Sequence, residues 1–165
     1  IQAIGAELDN VFKEYCGFNT SDRKNISDYA QSILGTNPDI VNQKILLQEY
    51  NIEIQPFQNW TTSQPAQTLT WWIAFTEIKH NRCDSMIQAN QKNILDILGA
   101  LYLIEMLYLK KITDGTTEFD VFGDSSKLYT LKDWTSKAIP LNQAFAVLGD
   151  MFENDVYEPN KKFDA

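Results

Sequence analysis

The sequence predicts a mainly α protein: a bundle of four to five helices with a minor β-hairpin. Three observations predict it. Apolar residues recur at i, i+4, i+7 and i+8 in the opening segment, Ile4, Leu8, Val11, Phe12 and Tyr15. The run from Ile97 to Leu109 is apolar almost all the way round a helical wheel, as at the centre of a bundle or on a surface shared with a partner chain. Strand-like alternation is confined to short stretches around Ile52–Ile54 and Phe119–Leu131.

The first helix is expected at Ile4–Cys16, with Gly17 as its C-cap. A second is expected at Lys24–Leu34, with Ile26, Tyr29, Ala30, Ile33 and Leu34 on one side and Gly35 as its stop. Asn37-Pro38 reads as an N-cap followed by proline at the first helical position, so another short turn is expected over Pro38–Gln43. From Leu47 to Phe57 the period changes to two, and Ile52 and Ile54 mark an extended stretch. Pro56 and Pro65 then bracket a Gln/Thr/Ser-rich surface loop, Gln58–Gln67, and Trp60 with Phe57 reads as a lid on the core.

The aromatic-rich segment Leu69–Arg82 predicts a strong helix, and Gln88–Lys111 the long central one. Lys110 and Lys111 stand in its last turn, opposing the negative end of the helix dipole. Beyond it, Phe119 and Val121, the Gly123-Asp124 turn signal, and Leu128 and Leu131 predict a small hairpin. A short helix is expected at Leu141–Phe152, and Glu153–Ala165 is polar. The expected organisation is therefore a bundle over residues 1–112. Residues 113–165 add a hairpin and a short helix packed on it, within one domain overall.

Charge and composition exclude several functions. Lys and Arg number 14 against 22 Asp and Glu, a formal net charge of −8, which is wrong for gripping duplex DNA through many phosphates. The 13-residue apolar run is interrupted by Glu105 and falls short of the roughly 20 residues of a membrane span. No leader pattern is visible, and cytoplasmic residence is expected, with Cys16 and Cys83 as two buried thiols. One histidine and two cysteines without CxxC spacing do not make a zinc site. No glycine-rich phosphate loop is present, so no metal or cofactor is expected. Asp114, Asp120 and Asp124 lack the spacing of a calcium loop and read as turn residues.

Chemistry is best sought at Lys79, His80 and Arg82. His80 is the only histidine, and Arg82 is one of two arginines, with Arg23. A histidine can serve as acid or base near neutral pH, and Lys and Arg can stabilise phosphate charge. Together they suit metal-independent RNA cleavage. On one continuous helix, however, His80 and Arg82 lie about 160° apart, and Lys79 and His80 about 100°. Convergence requires a helix end or kink at Asn81, or a second subunit. Otherwise His80 makes a local hydrogen bond and Arg82, on the wheel beside Trp71, Phe75 and Ile78, pairs with a carboxylate of the bundle. Glu7 is the first-helix carboxylate that could face Lys79 or Arg82.

Three stretches carry a family resemblance. They are Trp72-x-x-Phe75-x-x-Ile78-Lys79-His80-Asn81-Arg82, then Ala89-Asn90-x-x-Asn93-Ile94-Leu95-x-x-Leu98-x-Ala100-Leu101, and the opening Ile4-Gly5-Ala6-Glu7-Leu8-x-x-Val11-Phe12-Lys13. Over residues 1–112 the chain resembles small uncharacterised bacterial proteins with a Trp…Lys-His-x-Arg signature. Those in turn resemble the HEPN (higher eukaryotes and prokaryotes nucleotide-binding) superfamily. The resemblance implies an all-α bundle, usually dimeric, in toxin–antitoxin, phage-defence or RNA-processing systems, with metal-independent RNases among its active members. Their motif is Arg, four to six residues, then His. Here the order is His80 then Arg82, and no Arg occupies Ile73–Thr76.

Two functions are therefore expected. The first in rank is a non-catalytic module of a bacterial defence or stress system that binds a protein partner or a nucleotide. The alternative is a metal-independent endoribonuclease with a His80/Arg82 site at a homodimer interface, RNA being its substrate.

Overall fold

The structure is a computed structural model that describes residues 1–19, 21–113, 121–122 and 126–137. Its helices are α1 (Gln2–Cys16), α2 (Ile26–Thr36), α3 (Thr70–His80), the single turn α4 (Arg82–Ser85) and α5 (Gln91–Thr113). Its strands are β1 (Ile45–Leu47), β2 (Ile52–Ile54), β3 (Val121–Phe122), β4 (Tyr129–Leu131) and β5 (Ser136–Lys137). The architecture is mainly α with a small antiparallel sheet, as the periodicities predict. No helix among the described residues is long and apolar enough to cross a membrane.

α1 buries Gly5, Leu8, Phe12 and Tyr15, the 3-4-3 spacing of one helical face. Gly17 ends it at φ 70°. Its N–H reaches the Glu14 carbonyl and the Phe18 N–H reaches that of Lys13, so two terminal acceptors are satisfied. At the start of α2, Asn25 Oδ1 accepts from the Ser27 N–H at 2.8 Å, and the Asn25 N–H donates to Asp28 Oδ2 at 2.9 Å. This cap sets the start two residues after the expected Lys24. Gly35 does not stop α2, which runs on to Thr36. The stop is Pro38, whose ring disfavours helical geometry at Asn37 (φ −138°, ψ 71°). A 3₁₀ turn follows at Pro38–Asn42 and buries Ile40.

β2 falls on the extended stretch expected at Ile52 and Ile54 and pairs antiparallel with β1, Ile45 opposite Ile54 and Leu47 opposite Ile52. Asn51 (φ 52°) supplies the left-handed step of the connection. The position of β4 differs from the sequence expectation. Leu128–Leu131 was expected to pair locally with the stretch around Val121. Instead, β4 lies against the other edge of β1, with Ile45 opposite Leu131 and Leu47 opposite Tyr129, while β3 pairs in parallel with β5. The reason lies in Tyr129. Paired with β1, its ring is buried, lies tilted against Tyr102 at 5.7 Å between centroids, and its hydroxyl donates to the Leu95 carbonyl at 3.1 Å. Burial of that ring outweighs the shorter loop of a local hairpin. Gly123-Asp124, the Leu141–Phe152 helix and Glu153–Ala165 lie outside the described residues.

α5 begins at Gln91, three residues later than expected, because Asn90 Oδ1 caps it by accepting from the Asn93 N–H at 3.0 Å. Most of its apolar circumference is covered within the chain, Leu109 and Ile112 near its C-terminal end being exposed. α1 and α3 pack on it, and β3 and β4 close a further side. Ile97, Ala100, Leu103 and Ile104 are fully buried. Of the two situations open to an all-round apolar helix, α5 occupies the bundle centre.

The rest of the core is aromatic. Phe12 meets Tyr29 at 5.0 Å, Trp60 at 6.2 Å, and Phe57 and Trp72 each at 6.3 Å between centroids. Trp71 Nε1 donates to the Pro56 carbonyl at 2.7 Å and Trp60 Nε1 to that of Pro65 at 3.0 Å. Trp71 thus ties the Pro56–Pro65 loop to α3, and Trp60 closes the loop on itself, with Phe57 and Trp60 as the lid.

Two glycines make a graded test of this packing. A Cβ at Gly5 would fall inside the buried Phe75 ring, whereas one at Gly99 would meet the terminal methyl of Ile45. A ring cannot yield without moving α3 against α1; a terminal methyl can rotate. Gly5→Ala is expected to destabilise the protein by about 1–3 kcal/mol. Gly99→Ala is expected to cost clearly less, both read by urea denaturation.

Candidate functional site

α3 stops where convergence of His80 and Arg82 requires a break. Asn81 leaves the helix at φ −139°, ψ 63°, and α4 restarts at Arg82. The break removes Arg82 from the apolar side of α3 assigned to it by a continuous wheel, and its side chain is exposed. Lys79 and His80 are exposed as well, with the Lys79 ammonium 5.6 Å from the Phe75 ring centroid. His80 borders an open groove of about 420 Å³ with Thr76, Glu77, Asn81 and Ser85. Neither Lys79 nor Arg82 is among the residues lining it. Within one chain, the three candidate residues therefore share a short surface segment but not one pocket.

The remaining candidates resolve as follows. Glu7 is exposed, and its charge acts on Glu105 of α5, whose carboxyl is pushed up first by burial and then by that like charge. Cys16 is half-buried and Cys83 exposed, so the expectation of two buried thiols is corrected. Cys83 is exposed because the break at Asn81 turns its short helix away from the core. Among the described residues no three His, Cys, Asp or Glu side chains are grouped to hold a metal ion. Asp114, Asp120 and Asp124 lie outside the described residues.

The larger recess is elsewhere. A cleft of about 790 Å³ opens where the C-terminal turns of α1, α2 and α5 meet the end of the β1–β4 ladder. Four lysines line it, Lys44, Lys110, Lys111 and Lys132, together with Tyr15 and Trp134. They are placed by separate contacts. The Lys132 N–H donates to the Lys44 carbonyl at 3.0 Å, which locks those two residues across the strands. Lys44 Nζ lies 3.2 Å from Glu53, and Lys132 Nζ is paired with the same carboxylate. Those two contacts hold the Glu53 carboxyl below the usual range. Lys111 Nζ donates to the Tyr15 carbonyl at 2.7 Å and lies 5.2 Å from the Tyr15 ring centroid. Lys110 Nζ sits 4.9 Å above Trp134, whose Nε1 donates to Gln43 Oε1 at 2.7 Å.

Helix C-termini repel anions, and three end here. Acceptors at the ends of α1 and α2 are answered locally: Lys111 takes the Tyr15 carbonyl, Asn37 N–H the Ile33 carbonyl at 2.7 Å, and Thr36 Oγ1 the Ser32 carbonyl at 3.0 Å. Asp39 and Asp133 also line the cleft, and Asp39 Oδ1 accepts from Asn42 Nδ2 at 2.9 Å. Burial pushes the Tyr15 hydroxyl up, so it stays a neutral donor in neutral solution. The arrangement can hold a small anion by cationic N–H donors on both sides.

The sequence reading missed this cleft. Lys110 and Lys111 were read only as partners of the helix dipole, and Lys44, Lys132 and Trp134 carried no spacing signal. Their neighbourhood depends on β4 joining β1, which no local pattern announces. No family model, curated protein or solved structure matches the chain.

Proposed function

We propose that the chain is a non-catalytic binding module, and that it binds a small anionic ligand in the lysine-lined cleft. The observation that carries this reading is the convergence of four lysines from three parts of a chain with a net charge of −8. The cleft volume falls in the range of small-ligand sites. Its lysines are already oriented by neighbours, which lowers the ordering cost of binding. By its resemblance to HEPN-like proteins, such a module belongs to a cytoplasmic bacterial defence or stress system and works as a homodimer, with a protein partner reading the bound state.

Titration calorimetry with inorganic phosphate at low salt tests the reading. Saturable binding at a Kd of about 1–10 mM is expected, weakening as salt screens the lysines. It is expected to weaken in Lys110→Gln/Lys111→Gln, which removes two of the four lining lysines. No saturable binding of phosphate by the wild type would overturn the reading.

One observation favours a second reading, metal-independent RNA cleavage. The break at Asn81 frees Arg82 from the helical register of His80, so a second subunit could complete the pair. RNA cleaved in the presence of chelator by wild type but not by His80→Ala would establish it.

A further inference from the structure

We infer that Glu53 is a built-in counter-ion of the lysine-lined cleft, an internal carboxylate that occupies Lys44 and Lys132 and that an entering anion must displace. This rests on the reading of the cleft as an anion site and adds its regulation.

The sheet places Glu53 for the task. It lies on β2 opposite Leu46 of β1, and Leu46 lies opposite Thr130 of β4. Side chains alternate along a strand and the adjacent Ile54 is buried, so Glu53 projects from the solvent face. Lys44 precedes β1 and Lys132 follows β4. The carboxylate meets both: Oε2 is 3.2 Å from Lys44 Nζ, and Oε1 pairs with Lys132 Nζ. One oxygen serves each ammonium, as the oxygens of a bound anion would. Both lysines line the cleft and Glu53 does not, so the chain holds them from outside the lining.

The local charges cancel. Glu53 faces Lys44 and Lys132, and Asp133 adds its charge beside Lys132. Two cations against two carboxylates leave no surplus for a ligand while Glu53 stays in place. Its release frees one net positive charge and two ammoniums. The contact is made to be released. The side chains of Lys44, Lys132 and Glu53 are each 40–44% exposed, and such ion pairs are weak and screened by salt. A lysine stem is flexible, so an ammonium can turn from Glu53 to an anion without moving its strand. The bond from the Lys132 N–H to the Lys44 carbonyl does not involve Glu53, so both residues keep their places when the carboxylate lets go. The contacts that orient these ammoniums therefore also occupy them, and occupation dominates, because an exposed pair supplies little order.

Calorimetric titration of the full chain with inorganic phosphate at low salt is the test. Glu53→Gln keeps the shape of the side chain and removes its charge. It is expected to tighten phosphate binding by about two- to fivefold, the scale of one exposed ion pair. Glu49→Gln makes the same charge change on the β1–β2 connection, where Glu49 is exposed and pairs with no cleft lysine among the described residues. It is expected to leave the affinity unchanged. Unchanged melting curves show that both variants fold. If Glu53→Gln binds phosphate no tighter than the wild type, or if Glu49→Gln matches its gain, the counter-ion role falls while anion binding stands. If neither the wild type nor Glu53→Gln binds phosphate, the cleft reading falls with it.

Discussion

Phe12→Ala is expected to cost about 3–5 kcal/mol of folding stability, the range for a fully buried phenylalanine truncated in a packed core. Phe12 has no exposed surface and touches four other aromatic rings, drawn from α2, the Pro56–Pro65 loop and α3. Those neighbours are rigid rings pinned in part by hydrogen bonds. Tyr29 Oη donates to Asp9 at 2.8 Å, and Trp60 Nε1 to the Pro65 carbonyl. They cannot slide into the vacated space, so the cavity stays open and the cost falls toward the upper end. Phe12→Leu refills part of the volume and is expected to cost much less. Urea denaturation followed by circular dichroism reads both. Equal costs for Ala and Leu would show that the aromatic cluster collapses freely, contrary to the packing described.

Trp71→Ala is expected to have a comparable effect, about 3–5 kcal/mol, for a reason that a second variant separates. Trp71 is 2% exposed, sits edge-on to Phe57 at 5.8 Å and donates to the Pro56 carbonyl in a buried setting. Trp71→Phe retains an aromatic ring but leaves that carbonyl without its donor. A buried acceptor left unsatisfied costs about 1–3 kcal/mol. The Phe variant should therefore recover only part of the loss. Hydrogen exchange of the Pro56–Pro65 loop should rise in both variants, because the lost bond fastens the loop to α3. A Phe variant as stable as wild type would remove the hydrogen bond from the account.

The helices were legible because each writes its own period. α1 shows its inward face in Leu8, Phe12 and Tyr15 and its end in Gly17, and both are local signals. The boundaries that shifted were those set by side-chain caps, Asn25 and Asn90, or by Pro38 acting on the residue before it rather than by Gly35. The break at Asn81 was identified as a geometric requirement for the His80/Arg82 pairing, but no residue pattern located it beforehand. The sheet was half legible. Ile52 and Ile54 announced β2, whereas β1 was hidden in a run of three apolar residues, Ile45–Leu47, too short to show a period. β4 was read as extended but given the wrong neighbour, since the choice of partner depends on where the Tyr129 ring is buried. The lysine cleft was the least legible feature, because it is a product of that pairing.

β1 holds two neighbours that the chain supplies at very different times. β2 follows after a few residues, whereas β4 comes only after α5. During synthesis on a ribosome, the helices and the β1–β2 pair emerge first, with the far edge of β1 still bare. An open edge invites strands from other chains. Nascent chains that stall between α5 and β4 are thus the species most in need of chaperone cover. Arrival of Tyr129 closes that edge and assembles the lysine-lined cleft in one event, so only a chain translated past that point acquires it.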